Sequence, residues 1–267
     1  MPWSLEIYHI GLESSGDSTL IIAKDDTPPP PVRVRAMLID GGRLNQAAAM
    51  VHPLITATVG LNRVDVMVVT HYDEDHLQGI RGLLQMNSPV YDNALLFDQG
   101  EPGDIPNNNQ GPYEERINFR PANREDRYQV YLNAIRQRGN RIRVTASVDS
   151  QNRPAVNNNW RNADWLIGKE IFWAEALRFD MDGNYDPDGR YRADRTILPP
   201  AQRAGGSWNV NGDPINLFGN VLIPAGAPTV RCIACNQYVQ GQANLVGGVG
   251  GAADDLKNRK SLIFLLQ

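Results

Sequence analysis

Apolar and polar positions in the first hundred residues follow two different periods, and their order predicts an α/β fold. Residues 1–24 contain two apolar, β-branched runs joined by a Gly/Ser turn, which is typical of a pair of strands. Residues 33–100 then predict strand, helix, strand, helix and strand, with the last strand at 94–98. The apolar run at 64–69 is typical of a strand buried on both faces.

The pattern changes after residue 100. Residues 101–225 are rich in Asn, Gly and Pro and show little regular periodicity, so we expect an irregular insertion there. Within it, residues 123–138 place apolar side chains on one helical stripe, which predicts a docked amphipathic helix. Apolar runs at 229–234 and 261–266 predict two further strands. A chain of 267 residues can form one α/β domain or two small ones.

Composition narrows the class of protein. The 267 residues are 42% hydrophobic, and no apolar run approaches the roughly 18 residues that span a bilayer. The N-terminus lacks a basic, apolar leader, so we expect a cytoplasmic protein that does not associate with membranes. A net charge of −4 argues against a protein that coats nucleic acid through charge alone, although it leaves a nucleic-acid enzyme open.

A cysteine pair and an arginine-rich region each have a structural interpretation. Cys232 and Cys235 form one Cys-x-x-Cys pair without a second pair, inside an apolar run, so we predict structural cysteines in a strand. Eight arginines lie between Arg116 and Arg143. Either they bind phosphate groups, or they belong to an ordinary solvated helix face and its flanks.

The most informative motif follows the buried strand at 64–69. It is Thr70-His71-Tyr72-Asp73-Glu74-Asp75-His76, and a run of helical spacing begins at Leu77. Strand ends are where open α/β sheets place their chemistry, and two imidazoles with two carboxylates can converge on one or two cations. The alternative is a polar loop in which Asp75 caps the following helix.

The spacing His-x-Asp-x-Asp-His resembles the His-x-His-x-Asp-His motif of the metallo-β-lactamase superfamily, with Asp73 in place of the second histidine. The variant is similar to the nuclease-like domain of ComEC-type DNA-uptake proteins and their soluble relatives. The stretches at 7–11, 16–22 and 36–42 also resemble this group. The resemblance implies that residues 1–267 form a single domain, a four-layer αββα sandwich that is incomplete at the C-terminus.

The resemblance also implies roles for individual residues. His71 and Asp73 would bind one metal ion, Asp75 and His76 would bind a second, and these last two would be the catalytic pair. Asp40 would orient a ligand, and Asp98 is the best candidate for a further ligand. A carboxylate in place of an imidazole shifts the preference of the site from zinc towards manganese, so the cofactor is expected to be one or two divalent ions, Mn or Zn.

The implied function is a metal-dependent hydrolase that acts on phosphodiesters through a metal-bound hydroxide. An ester or lactone hydrolase and a non-catalytic binding module are the alternatives. The superfamily expects a late histidine ligand, but no histidine follows His76, and the strand-like run at 258–266 stops at Gln267. We therefore expect a missing C-terminal segment, a partner chain that completes the site, or a degenerate member of the superfamily.

Overall fold

Helices and two β-sheets form the part of the chain that the computed structural model describes. The described residues are 3–12, 16–26, 34–100, 127–139, 141–146, 166–174, 191–192, 196–197, 223–235, 238–241 and 261–267. Most of the predicted insertion at 101–225 therefore lies outside them.

Among the described residues, the main sheet contains eight strands in the order β1-β2-β3-β4-β5-β6-β8-β7. Their bounds are β1 Trp3–Gly11, β2 Asp17–Asp25, β3 Val34–Ile39, β4 Val66–Val68, β5 Leu95–Asp98, β6 Ile142–Thr145, β7 Tyr191–Arg192 and β8 Thr196–Ile197. The first three strands pair antiparallel, whereas β3, β4, β5 and β6 pair in parallel. The carboxyl ends of these four parallel strands consequently meet at one edge of the sheet.

Helices cover one face of the main sheet. Helix α1 (Leu44–Gln46) continues into π-helical turns at Ala47–Val51 and Leu54–Thr58. Helix α2 (Glu74–Gln85) follows β4, a 3-10 turn spans Pro89–Tyr91, and α3 spans Arg127–Arg136. Apolar side chains of the sheet and the helices share one core on this face, and it includes Leu38, Met67, Leu96, Ile80 and Tyr131.

A second, antiparallel sheet covers the opposite face, with the strand order β10-β9-β11. Its strands are β9 Val230–Cys235, β10 Tyr238–Val239 and β11 Ile263–Leu266. A separate core between the two sheets includes Met37, Val68, Phe97, Cys232 and Leu262. The order of layers is thus helices, main sheet and second sheet, which confirms the α/β class.

Several predicted elements are confirmed. The strands and helices expected in residues 1–100 are present in the predicted order, and α3 lies inside the helix expected at 123–138. Cys232 and Cys235 are buried in β9, as expected of structural cysteines. Within the described residues, no helix is both long enough and apolar enough to cross a bilayer.

The described parts of the predicted insertion are not wholly irregular, because three strands of the main sheet, β6, β7 and β8, lie within it. Strand β6 belongs to the main sheet, where it pairs in parallel with β5, because Ile142 and Val144 continue the alternation of a strand. In contrast, residues 166–174 form turns against the second sheet, with a single bridge from Glu170 to Arg231. Side chains from this segment complete the core between the sheets.

Candidate metal centre

The histidine loop, residues 70–76, connects β4 to α2 and lies beside the end of β3. Asp40 follows β3 and has a φ of +55°, which is uncommon for a residue with a side chain. Its N–H donates to the carbonyl oxygen of Val68 at 2.8 Å, so the turn after β3 is fixed to the strand that delivers the loop. Asp40 therefore occupies the same edge of the sheet as the loop histidines.

Glycines allow α2 to approach this turn closely. The N–H of Gly79 donates to the carbonyl oxygen of Gly42 at 2.7 Å, and Gly41 donates to His76 at 3.3 Å. A Cβ added at Gly79 would lie 1.8 Å from the carbonyl oxygen of Gly41, so a side chain does not fit there without a shift of the helix. This contact brings the first turn of α2, and His76 with it, against Asp40.

Asp40 is hydrogen-bonded to both ends of the loop. Its Oδ1 accepts from the backbone N–H of Thr70 at 2.8 Å, and its Oδ2 accepts from the Thr70 hydroxyl at 2.6 Å. The same Oδ2 lies 2.9 Å from Nδ1 of His76. Because an ionised carboxylate only accepts, Nδ1 of His76 is the donor, and in the neutral imidazole Nε2 keeps its lone pair.

The Thr70 hydroxyl connects Asp40 to His71 as well. Its oxygen lies 3.1 Å from Nδ1 of His71, while its own proton is donated to Asp40. Nδ1 of His71 must then be the donor, and Nε2 again keeps its lone pair. Asp40 thus fixes the tautomer of His76 directly and that of His71 through Thr70, which is how metal-binding histidines are usually oriented.

The two imidazoles lie side by side, with their ring centroids 3.9 Å apart. Nε2 of His71 is 3.7 Å from Oδ2 of Asp73, and Nε2 of His76 is 3.9 Å from Oδ1 of Asp75. Two ligands of one tetrahedral ion, each about 2.1 Å from it, would be about 3.4 Å apart. Each histidine is therefore close to the spacing that lets it share an ion with the carboxylate nearest to it.

The described residues stop short of a complete ligand set. Among them, no group of three or more His, Cys, Asp or Glu side chains is gathered in a way that could hold a metal ion. The loop therefore presents two half-sites, His71 with Asp73 and His76 with Asp75. The donor types fit a divalent cation, and each half-site needs at least one further ligand.

The electrostatic environment of His76 is anionic. Burial lowers the pKa of its imidazole, but the hydrogen bond to Asp40 and the charges of Asp40, Asp75 and Asp17 outweigh burial, and the pKa is raised above its ordinary value. A cation bound at Nε2 would be stabilised by the same carboxylates and would compete with the proton.

Asp98 occupies a different environment from the loop donors. It is buried at the end of β5 and forms an ion pair with Arg143, whose Nε lies 2.5 Å from Oδ2 and whose Nη2 lies 2.8 Å from Oδ1. Asp98 also accepts hydrogen bonds from the hydroxyls of Tyr72 and Tyr131, at 2.8 and 2.9 Å, and from the N–H of Gly100. The described contacts thus join Asp98 to a buried cation and, within the histidine loop, to Tyr72.

The capping interpretation of Asp75 does not hold. Helix α2 begins at Glu74, its N-cap residue is Asp73, and no side-chain capping hydrogen bond is formed. Asp75 lies in the first helical turn, where a negative charge is favoured by the helix dipole.

Sequence reasoning missed two buried arginines, one of which is the ion-pair partner of Asp98. Arg143 and Arg141 are fully buried, so neither interpretation of the arginine-rich region describes them. Arg141 donates to the backbone carbonyls of Tyr91 and Ala134 and links the end of α3 to the sheet. The available signal was an arginine placed between Ile142 and Val144 in a strand, which indicates a buried charge with a nearby carboxylate.

The comparisons with known proteins do not assign a family or a function to this site. No model of a known protein family matches the sequence, and a search of curated proteins finds no match either.

Proposed function

We propose that this protein is a metal-dependent hydrolase, with phosphodiesters as its substrates. The observation that supports the proposal is the arrangement of the histidine loop. Asp40 and Thr70 engage the Nδ1 atoms of His71 and His76, so that both Nε2 lone pairs are directed to the neighbouring carboxylates of the loop.

The donor set suggests the ion. Two imidazole nitrogens and two carboxylates suit zinc or manganese, and the carboxylate in the first half-site favours the harder ion. His71 and Asp73 would hold one ion, and Asp75 and His76 would hold a second. Bound there, a divalent cation would lower the pKa of water and neutralise charge on a phosphoryl oxygen.

In this proposal the residues of the chain bind the ions and orient the imidazole ligands. Asp40 keeps both rings in the tautomer that presents Nε2, and the partly exposed side chains of Asp73 and Asp75 allow access from solvent. Because the net charge is −4, an anionic substrate needs a local positive centre, which cations between these carboxylates would provide. Asp75 and His76 are the residues to which we assign catalysis.

The resemblance of the loop to the nuclease-like group supports phosphodiesters over other esters, and it extends the proposal to the fold. We place the observed helix, sheet and sheet layers in an αββα sandwich, with a second helix layer against the β9 sheet. Asp98 is left out of the ligand set, because its oxygens are used by Arg143, Tyr72 and Tyr131.

A second candidate is a binding module without turnover, and the half-sites favour it. If the described donors bind an ion without further ligands, the ion is held weakly and hydrolysis is absent. A partner chain or further chain segment that supplies ligands would restore the first function.

The test combines metal loading with hydrolysis. The purified chain is loaded with Mn²⁺ or Zn²⁺, freed of excess ion, analysed for metal, and assayed with bis(p-nitrophenyl) phosphate and with p-nitrophenyl acetate. We expect about two bound ions per chain, phosphodiester hydrolysis that chelation removes, and loss of that hydrolysis in Asp75→Ala.

Glu74→Ala is the matched control, because Glu74 is an exposed carboxylate adjacent to Asp75 in the same helical turn. It should retain metal and activity. Metal-dependent hydrolysis of the acetate alone would reassign the substrate to carboxylic esters. Metal-free protein without either activity would favour the binding module.

A further inference from the structure

The middle of the histidine loop is anchored to the interior of the protein. Tyr72 lies between His71 and Asp73 in the chain, and it is only 2% exposed. We infer that Tyr72 is a positioning residue, which fixes the histidine loop by joining its hydroxyl to the buried Asp98–Arg143 ion pair. The inference rests on the proposed function insofar as the loop binds metal.

The hydroxyl of Tyr72 has three described partners. Its one proton is shared between Oδ1 of Asp98, at 2.8 Å, and the carbonyl oxygen of Gly100, and its oxygen accepts from Nη2 of Arg143 at 3.2 Å. Asp98 ends β5, and Arg143 lies in β6. The loop after β4 is therefore joined to the next two parallel strands through one phenol group.

This anchor complements the Asp40 network on the other side of the loop. Asp40 and Thr70 determine how the imidazoles are turned, but they contact the start of the loop and the residue inside the first turn of α2. Tyr72 constrains the segment between these points. Since ligands must be held to within about 0.5 Å for tight binding, a loop fixed only at its ends would position Nε2 of His71 less accurately.

The alternative is that the hydroxyl of Tyr72 only satisfies the buried ion pair. Tyr131 allows the two explanations to be separated, because its hydroxyl donates to Oδ2 of the same Asp98 at 2.9 Å from helix α3. Loss of either hydroxyl removes a hydrogen bond from the same carboxylate. Only the loss of the Tyr72 hydroxyl releases the histidine loop.

The test compares Tyr72→Phe with Tyr131→Phe in the full chain. The first measurement uses metal-free protein at one fixed pH and records the imidazole ¹⁵N and Cε1–H chemical shifts of His71 and His76, together with the melting temperature. We expect the melting temperature to fall in both variants, and to fall further in Tyr72→Phe, because that hydroxyl also bonds to Arg143 and Gly100. The ring signals of His71 should shift or broaden in Tyr72→Phe and stay at their wild-type positions in Tyr131→Phe.

The second measurement is titration with Mn²⁺ and with Zn²⁺. Residues that orient metal ligands from outside the ligand set typically contribute 10–100-fold in affinity, so we expect Tyr72→Phe to weaken binding roughly tenfold. Tyr131→Phe should bind as the wild type does. If Tyr72→Phe does not fold in buffer, both variants are measured with the osmolyte trimethylamine N-oxide, which favours the folded state, and the same result is expected.

The two hypotheses fail in different ways. Unchanged His71 signals in Tyr72→Phe, or equal changes in both variants, overturn the positioning role, whether or not the wild type binds metal. Wild-type affinity in Tyr72→Phe also overturns it, while the proposed function stands. A wild-type chain that takes up neither ion refutes the proposed metal site, and the ring signals then still decide the role of Tyr72.

Discussion

Two polar networks lie at the same edge of the main sheet, at the ends of the two strands that flank β4, and an aspartate is central to each. Asp40 follows β3 and bonds to an amide, a hydroxyl and an imidazole of the histidine loop. Asp98 ends β5 and bonds to Arg143 and two tyrosine hydroxyls. The first network leads to side chains that solvent reaches, whereas the Asp98–Arg143 pair is buried, with 0% and 1% of the two side chains exposed.

The difference shows that the position of an acid at a strand end does not by itself define a ligand. A buried carboxylate that is ion-paired and hydrogen-bonded by several donors has little capacity left for a metal ion. The Asp40 network instead uses its hydrogen bonds to fix two imidazoles, whose Nε2 atoms then point to the carboxylates of the loop. The Asp98 network is therefore structural, and under the proposed function the Asp40 network orients the two histidines.

The largest effect, on the free energy of unfolding, is expected when Asp98 loses its cationic partner. Arg143→Met leaves Asp98 as a buried carboxylate without its cation, which typically costs about 3–5 kcal/mol of the free energy of unfolding. Urea denaturation measures this loss. Arg138→Met is the control, because Arg138 pairs with Asp92 but is 31% exposed, and a change below about 1 kcal/mol is expected. Equal stability of the two variants would contradict a structural role for the Asp98 network.

A smaller effect, on binding, is expected in the Asp40 network. Asp40→Asn replaces an acceptor-only group by an amide, which cannot accept at both oxygen positions, so the imidazole tautomers are no longer fixed. Metal titration should show a loss of affinity of about 10–100-fold.

Asp65→Asn is the matched control for Asp40→Asn. Asp65 is also a buried carboxylate; it accepts from the N–H of Ala36 at 2.9 Å and pairs with Arg63, away from the loop. Metal affinity should not change in this variant. A comparable loss of affinity in both variants would mean that Asp40 acts through general stability.

The smallest effect on metal affinity is expected when only His71 loses its connection to Asp40. Thr70→Val keeps the shape of the side chain but removes the hydroxyl that connects Asp40 to His71, while the bond from Asp40 to His76 remains. Metal affinity should fall by at most roughly tenfold, at the lower end of such effects. Thr56→Val removes a hydroxyl that donates to the carbonyl of His52 at 2.8 Å, and it should leave affinity at the wild-type value. An unchanged affinity in Thr70→Val would exclude the connection through Thr70.

The predictability of the fold differs along the chain. In residues 1–100 the apolar runs are short, strongly patterned and separated by glycine turns, so the order of strands and helices was predicted correctly. Strand β6 was not predicted, because two apolar positions, Ile142 and Val144, give too short a pattern to distinguish a strand from a loop. Its place beside β5 depends on parallel pairing with a distant segment, which local periodicity does not encode.

The sequence by itself determined the donor set of the candidate site, because His71, Asp73, Asp75 and His76 lie within six residues between a strand and a helix. Only the tertiary structure decided which partners Asp40 and Asp98 have. Asp40 is 36 residues from His76, and Asp98 is 45 residues from Arg143, so each contact requires that distant strands and helices first pack together. The physical reason is that hydrogen bonds and ion pairs depend on distances between atoms, which local sequence constrains only over a few residues.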